Sequence, residues 1–292
     1  MEMTTRTGAP VLVGVDGSPS SLDAVRLAAR LAGERSRRLR IVHAFIWPLL
    51  NVPLGPSPIG PVEGGLANEA DRIVKEAMAA AQAAAPGLEV AGDVIVGAAA
   101  PALLHAARES HLVVLGDRGL GGFTSMLIGS VAIQVAAHAP CPVLVARGSM
   151  DRPGEIVVGV EVSDDGHRAL DFAFEEAAYR AVPLVAVRAF THPMADDPGD
   201  LLPLIYDADD LAAAEEAVLA EMLAGRTDRY PEVVVRRQVR RQRPAGALLE
   251  AAATASLLVV GCRGRGGFAG LLLGSVSQAM LHHAPCPVAL IR

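Results

Sequence analysis

Two glycine-rich stretches of identical spacing hold the residues best suited to chemistry. The first runs from Gly116 to Ser130 and the second from Gly261 to Ser275, and both read G-x-x-G, nine further residues, then G-S. Each follows an apolar run typical of a buried parallel strand and precedes a helical pattern. A glycine turn between strand and helix presents backbone N–H groups and a helix N-terminus, which suit phosphate. A glycine-rich surface loop is the alternative for either stretch alone, and the repeated spacing argues against it.

A tandem duplication relates the two stretches. A constant offset carries Asp16 onto Glu161 and Arg147 onto Arg292, so the repeat spans almost the whole chain. A chain of 292 residues is also long enough for two domains that each bury a core. The duplication predicts a first domain over 1–148 and a second over 154–292.

Composition restricts the class of protein. Hydrophobic residues make up 51% of the chain, which is typical of a globular protein, and the net charge of −6 gives no support to nucleic-acid binding driven by bulk electrostatics. No signal-peptide pattern and no apolar run of membrane-spanning length occurs in the sequence. We therefore expect a cytoplasmic protein with no membrane partner and no nucleic-acid partner.

Cysteine and lysine usage narrows the chemistry further. Cys141, Cys262 and Cys286 are odd in number and lack metal-ligand spacing, which favours free thiols in a reducing compartment. Lys75 is the single lysine and lies in a helical pattern, so neither a Walker lysine nor a Schiff-base lysine is available. Positive charge near a phosphate must come from arginine or from the backbone.

Strand and helix signals alternate through each copy. In the first copy, a stretch rich in proline and glycine from Ile46 to Gly65 predicts an irregular excursion. The alternation predicts a doubly wound parallel sheet with helices on both faces. The predicted strands are Pro10–Val15, Leu39–Phe45, Leu88–Val96, His111–Leu115 and Cys141–Ala146, and the predicted helices begin near Ser18, Ala67, Pro101 and Ser130.

The second copy departs from the first in two charged segments. Its excursion, His192 to Asp210, carries six aspartates without the tight spacing of a calcium loop, which favours a solvated acidic loop over a metal site. Its third strand, Val233 to Arg243, carries five arginines. Charge commonly protects an edge strand, so we prefer that interpretation to a patch for an anion or an acidic partner.

The carboxyl ends of the strands are where an open α/β sheet binds ligands. Asp16 follows the first strand, and Arg118 and Ser130 belong to the glycine loop. Loop amides, the Ser130 hydroxyl and Arg118 can take phosphate oxygens, and apolar backbone can flank a base. Asp16 as a turn and helix-capping residue is the alternative. Ser130 has no neighbouring base that recurs in both copies, so we assign it to binding and predict no catalytic residue.

The motifs together resemble the universal stress protein family. They are Val-Gly-Val-Asp-Gly-Ser after the first strand, the glycine loop, and Pro-Cys-Pro-Val at the last strand. The resemblance implies two tandem Rossmann-like (adenine nucleotide α-hydrolase-like) α/β domains, each a five-stranded parallel sheet of order 3-2-1-4-5. It further implies bound ATP, with or without Mg²⁺, and association through the last strand. The last strands of the two copies can cover each other's edge within one chain, and we expect a homodimer in addition.

Carried over by position, the family pattern implies a nucleotide site in each copy. Asp16 and Ala44 would neighbour adenosine, and the loop would hold ribose and phosphates. The first site comprises Gly14, Val15, Asp16, Ala44, Leu115, Gly116, Arg118, Gly119, Gly129, Ser130 and Val131. The second comprises Glu161, Ala189, Val260, Gly261, Arg263, Gly264, Gly274, Ser275 and Val276.

Two substitutions distinguish the second site. Glu161 stands where the first copy has Asp16, and Val162 stands where it has Gly17, which removes the freedom to adopt a positive φ. Arg265 could add charge near phosphate or lie on the surface. We expect an ATP-binding sensor or regulator of a stress or dormancy response. A slow ATP hydrolase and a nucleotide-stabilised interaction scaffold are the alternatives.

Overall fold

A computed structural model describes residues 8–50, 55, 65–120, 128–150, 152–191, 208–264 and 272–292. The chain divides into two compact units. One comprises Met1–Met150 with Pro287–Leu290 and Arg292, and the other comprises Asp151–Cys286 with Ile291. Most of the two predicted excursions and Arg265 lie outside the described residues.

The first unit alternates strands and helices as predicted. Its strands lie in the order β3 (Val90–Val96), β2 (Leu39–Phe45), β1 (Val11–Val15), β4 (Leu112–Gly116) and β5 (Val143–Ala146), and the neighbouring pairs among them are parallel. Register brings Val11 of the first strand opposite Leu39 on one side and Leu112 on the other. The α-helices are α1 (Pro19–Glu34), α2 (Leu66–Ala84), α3 (Ala99–Ala107) and α4 (Ser130–His138).

Apolar strands and amphipathic helices account for this arrangement. All five residues of β1 are buried, as a strand covered on both faces requires. Helix α1 packs against α2, and α3 packs against α4, so helices cover both faces of the sheet. Ser18 caps α1 by accepting a hydrogen bond from the Ser21 N–H at 3.2 Å, and Pro19 takes the first helical position, where its missing N–H costs no bond.

The second unit repeats the pattern. Its strands pair in parallel in the order β9 (Leu257–Gly261), β6 (Ile156–Gly159), β7 (Leu184–Phe190) and β8 (Val235–Arg241). The last strand of the chain, β10 (Val288–Ile291), belongs largely to the first unit. The remaining elements are α5 (Asp164–Arg180), α6 (Ala208–Leu223), α7 (Arg226–Arg229), α8 (Pro244–Ala251), a 3-10 turn (Ala252–Thr254) and α9 (Ser275–His283).

The arginine-rich strand β8 lies at the end of its unit's strand order. Two of its arginines form exposed ion pairs, Arg236 with Glu155 at 2.9 Å and Arg237 with Glu216 at 3.1 Å. Exposed pairs of this kind contribute little to stability. Their position on an outer strand agrees with the interpretation of β8 as a charged edge.

One short element was not predicted. The segment Trp47–Leu50 forms a 3-10 turn at the start of the excursion for which we predicted irregular structure. The first N–H groups of a helical turn have no partner within the turn. Pro48 is its second residue, so the missing proline N–H costs no hydrogen bond there. Across the described ranges, no helix is both long and apolar enough to cross a bilayer.

Candidate nucleotide-binding sites

The end of β1 is tied to the first glycine loop by the Asp16 carboxylate. Its Oδ1 accepts a hydrogen bond from the Ser18 N–H at 3.0 Å, and its Oδ2 accepts one from the Leu120 N–H at 2.8 Å. Asp16 therefore closes the turn into α1, as the capping alternative proposed, and also holds a loop amide. The Ser18 hydroxyl adds a bond to the Arg118 carbonyl at 3.3 Å. The strand end, the helix start and the loop form one hydrogen-bonded group.

The equivalent turn of the second copy is built differently. In the first copy Gly17 adopts φ +85°, a conformation that glycine takes without strain. Val162 does not adopt a positive φ. Within the described ranges, the non-glycine residues that do so are Ser36 and Ala181. The Ser163 N–H instead donates to the backbone carbonyl of Glu161 at 2.9 Å, which gives a three-residue turn centred on Val162. The Glu161 carboxylate is not used as the acceptor of this bond.

Both carboxylates nevertheless reach the second glycine of their loop. A Cβ atom built on Gly119 would collide with Oδ2 of Asp16, and one built on Gly264 would collide with both Oε atoms of Glu161. The longer side chain and the altered turn together bring the Glu161 carboxylate to the same glycine that Asp16 reaches in the first copy. A side chain at either glycine would have to displace a carboxylate.

The end of each loop is closed by the same backbone bond. The Gly129 N–H donates to the Asp117 carbonyl at 2.8 Å, and the Gly274 N–H donates to the Cys262 carbonyl at 2.9 Å. Helices α4 and α9 then begin at Ser130 and Ser275, and the glycine before each supplies no side-chain cap. The N–H groups of the first turn are left for water or a ligand, and the positive end of the helix dipole favours an anion.

A cavity of about 740 Å³ lies in the second unit. Its volume is in the range of sites that hold small molecules and cofactors. The structure brings together at this cavity every residue predicted for the second site: Glu161, Ala189, Val260, Gly261, Arg263, Gly264, Gly274, Ser275 and Val276.

The predicted residues of the first site lie at the corresponding strand ends. Gly14 and Val15 are in β1, Ala44 is in β2, and Leu115 and Gly116 end β4. Gly14 serves packing, because a Cβ there would come within 2.8 Å of Leu115 Cδ2. The remaining predicted residues of the loop are Arg118 and Gly119 at its start and Gly129, Ser130 and Val131 at its end.

Arg188 lines the cavity and was missed by the sequence reasoning. It ion-pairs with Glu215 of α6, and the two side chains are only 11% and 20% exposed. The repeat aligns Arg188 with His43, whose Nδ1 lies 2.9 Å from the Val15 carbonyl. A polar residue at this strand end in both copies is the signal that could have identified Arg188.

Known proteins match this chain in two parts, one for each copy of the repeat. The model of the universal stress protein family matches residues 9–147 and again residues 154–292. This chain belongs to the universal stress protein family. The prediction from the sequence motifs is thereby confirmed, as is the tandem α/β fold class that went with it.

Relatives within the universal stress protein family match over nearly their whole length. A universal stress protein of Mycolicibacterium smegmatis is 35% identical over 292 residues, covering 97% of this chain and 96% of its own. One from Mycobacterium tuberculosis is 37% identical over 317 residues, covering 98% and 96%. A crystal structure of a universal stress protein from Archaeoglobus fulgidus has a TM-score of 0.69 at 20% identity and covers 98% of both chains, which supports the shared fold.

Proposed function

We propose that each copy binds one adenine nucleotide, ATP, at its glycine loop. The cavity of the second unit carries this proposal, because the whole set of residues predicted for the second site surrounds it. The first copy supplies the same glycines and the same helix start. The proposal therefore covers two sites in one chain.

The parts of the site match the parts of the ligand. Apolar strand ends such as Ala189 and Val260 give a surface for the base, and the carboxylate of Asp16 or Glu161 can accept hydrogen bonds from adenosine. Loop amides and the N-termini of α4 and α9 suit the phosphates. Arg118 and Arg263 supply positive charge, which the single lysine of the chain does not supply there.

Magnesium fits this arrangement as a companion of the phosphates. Mg²⁺ keeps several waters and is held by one or two carboxylates together with substrate phosphates. Within the described ranges there is no group of three or more His, Cys, Asp or Glu side chains able to hold a metal ion alone. The carboxylates of Asp16 and Glu161 lie against the second glycine of their loops. We propose that Mg²⁺, when present, enters with ATP.

At the level of the cell, we propose a nucleotide-dependent sensor or regulator in a stress or dormancy response. We place the protein in the cytoplasm, and we propose that two chains associate as a homodimer. Sedimentation at micromolar concentration tests the assembly. A stable 30.2 kDa monomer would exclude the homodimer.

Nucleotide binding itself is tested with purified full-length protein. Acid extraction should release adenine nucleotide, and calorimetric titration of nucleotide-stripped protein with ATP should give saturable binding. Protein that carries no nucleotide and gives no heat with ATP, with or without Mg²⁺, would overturn the proposal. A titration with GTP serves as the ligand control.

A further inference from the structure

The two copies support their glycine loops with the same pair of positions but opposite chemistry. The repeat aligns Ser20 with Asp165 at the start of the first helix of each copy. It also aligns Asp117 with Cys262 at the start of the loop. The carboxylate is on the loop in the first copy and on the helix in the second.

In the first copy the loop supplies the charge. The Ser20 hydroxyl donates to Oδ1 of Asp117 at 2.7 Å, and the Arg118 N–H approaches the same hydroxyl oxygen at 3.4 Å. Helix and loop are packed closely here, since a Cβ on Gly116 would lie 2.6 Å from Ser20 Oγ. A hydroxyl on the helix therefore meets a carboxylate and an amide of the loop.

In the second copy the helix supplies the charge. Oδ2 of Asp165 accepts a hydrogen bond from the Arg263 N–H at 3.1 Å, and Oδ1 accepts one from Arg168 at 2.6 Å. Asp165 is only 9% exposed, and Cys262 on the loop, which is 1% exposed, carries a thiol where the first copy has a carboxylate. A carboxylate that is nearly buried is retained where charged partners and N–H donors satisfy it, as here.

We propose that Asp165 is a positioning residue for the second glycine loop, and that the Ser20–Asp117 pair has the same role in the first. Asp165 acts through the backbone of Arg263, which lines the cavity. Hydrogen bonds to a charged acceptor are roughly twice as strong as neutral ones. The bond from the Arg263 N–H to Asp165 thus fixes the orientation of the Cys262–Arg263 peptide group, whose carbonyl accepts the Gly274 N–H that closes the loop.

The inference rests on the proposed nucleotide site only for its functional readout. Its structural readout, amide hydrogen exchange at Arg263 in ligand-free protein, does not require a nucleotide. Asp165→Asn should accelerate that exchange by about ten-fold, the effect of losing one charge-assisted hydrogen bond. It should weaken binding at the second site to a similar extent while leaving exchange at Arg118 in the first copy unchanged.

Two further variants separate positioning from a general loss of stability. Asp164→Asn removes the same charge from the first turn of the same helix, but Asp164 is exposed and its neighbour Asp165 makes the loop contact. We expect no change in Arg263 exchange for this control. The double variant Asp165→Ser with Cys262→Asp builds the first copy's pair into the second copy and should recover most of the affinity that Asp165→Ser alone loses.

Full-length protein is used throughout, with melting temperatures to verify folding. Unchanged Arg263 exchange in Asp165→Asn, or equal effects of Asp164→Asn and Asp165→Asn, would overturn the inference. Failure of the double variant to improve on Asp165→Ser would also count against it. If the wild-type protein binds no nucleotide, the proposed function fails, and the exchange experiment still decides the role of Asp165.

Discussion

Oδ2 of Asp16 accepts a hydrogen bond from the backbone N–H of Leu120 at 2.8 Å, which joins the end of β1 to the loop after β4. Gly119 precedes Leu120 and lies directly against this carboxylate. The loop can approach Asp16 so closely only because residue 119 has no side chain. The same relation holds between Glu161 and Gly264 in the second copy.

Gly119→Ala should therefore damage the first site. The added Cβ must displace either the loop or the Asp16 carboxylate, and we expect a loss of at least ten-fold in ATP affinity at that site, about 1.4 kcal/mol. Gly264→Ala should do the same at the second site. Calorimetric titration gives the number of ATP molecules bound tightly per chain, which should fall from two to one in each variant.

The matched control is Gly33→Ala in helix α1. A Cβ there meets only Ala85 Cβ at 3.7 Å, which is an ordinary contact. Both affinities should stay unchanged, and helix stability should rise slightly because alanine is the better helix former. Full binding at both sites in Gly119→Ala would show that the loop does not need this glycine.

The two sites should differ in affinity, with the first tighter by roughly ten-fold. Asp16 is held by two N–H groups, whereas the turn at Glu161 uses the backbone carbonyl as acceptor. A carboxylate displaced from the best position for adenosine costs about 1–2 kcal/mol. Glu161→Asp alone should give partial recovery, because Val162 keeps the altered turn.

Adding Val162→Gly to Glu161→Asp should bring the second site close to the first. Glycine allows the positive φ that Gly17 adopts, so the Ser163 N–H can bond to the new aspartate. Titration of these variants with and without Gly119→Ala assigns each measured affinity to its site, because Gly119→Ala weakens the first site alone. Two equal, independent sites in the wild type would show that Glu161 is an acceptable substitute for aspartate.

ATP turnover should remain well below the range typical of enzymes, roughly 1 s⁻¹ and above. No catalytic residue was predicted from the sequence, and Asp16 is engaged by two backbone N–H groups. Asp16→Asn should lower the ATP affinity, and its turnover rate should stay as low as that of the wild type. Release of phosphate near 1 s⁻¹ in the wild type that is lost in Asp16→Asn would identify a hydrolase.

Phe174→Ala should destabilise the second unit by about 3–5 kcal/mol. Phe174 is fully buried in α5, and its ring stacks on Tyr230 with centroids 5.8 Å apart. Tyr179 of the same helix is 53% exposed, so Tyr179→Ala should cost at most about 1 kcal/mol. Urea unfolding followed by circular dichroism gives both values, and similar losses in the two variants would contradict this ranking.

The sequence predicted most of the fold because its signals are local and repeated. Buried strands such as Val11–Val15 are short apolar runs, and the cap at Ser18 precedes a clear helical period. The glycine loop was recognisable because both copies keep its spacing. The Trp47–Leu50 turn was missed because proline is a weak guide to short 3-10 segments.

The remaining details of the sites depend on contacts between distant parts of the chain. Asp165 contacts Arg263 across 98 residues of the chain, and Ser20 contacts Asp117 across 97. No local pattern predicts such pairs. The backbone turn around Val162 was also beyond the sequence reasoning, which identified the loss of glycine freedom but not the bond from Ser163 to the Glu161 carbonyl.

The opposite placement of the supporting carboxylate limits how one copy could have changed into the other. From a Ser20–Asp117 arrangement, a single substitution to aspartate on the helix places two carboxylates against each other, and like charges at that distance oppose ionisation. Loss of the loop aspartate first leaves a hydroxyl facing an uncharged residue, which is the milder intermediate. Divergence after duplication would therefore have passed more easily through a neutral pair at the positions of Asp165 and Cys262. The second loop would have been held less firmly at that stage, until an aspartate on the helix supplied a charged acceptor again.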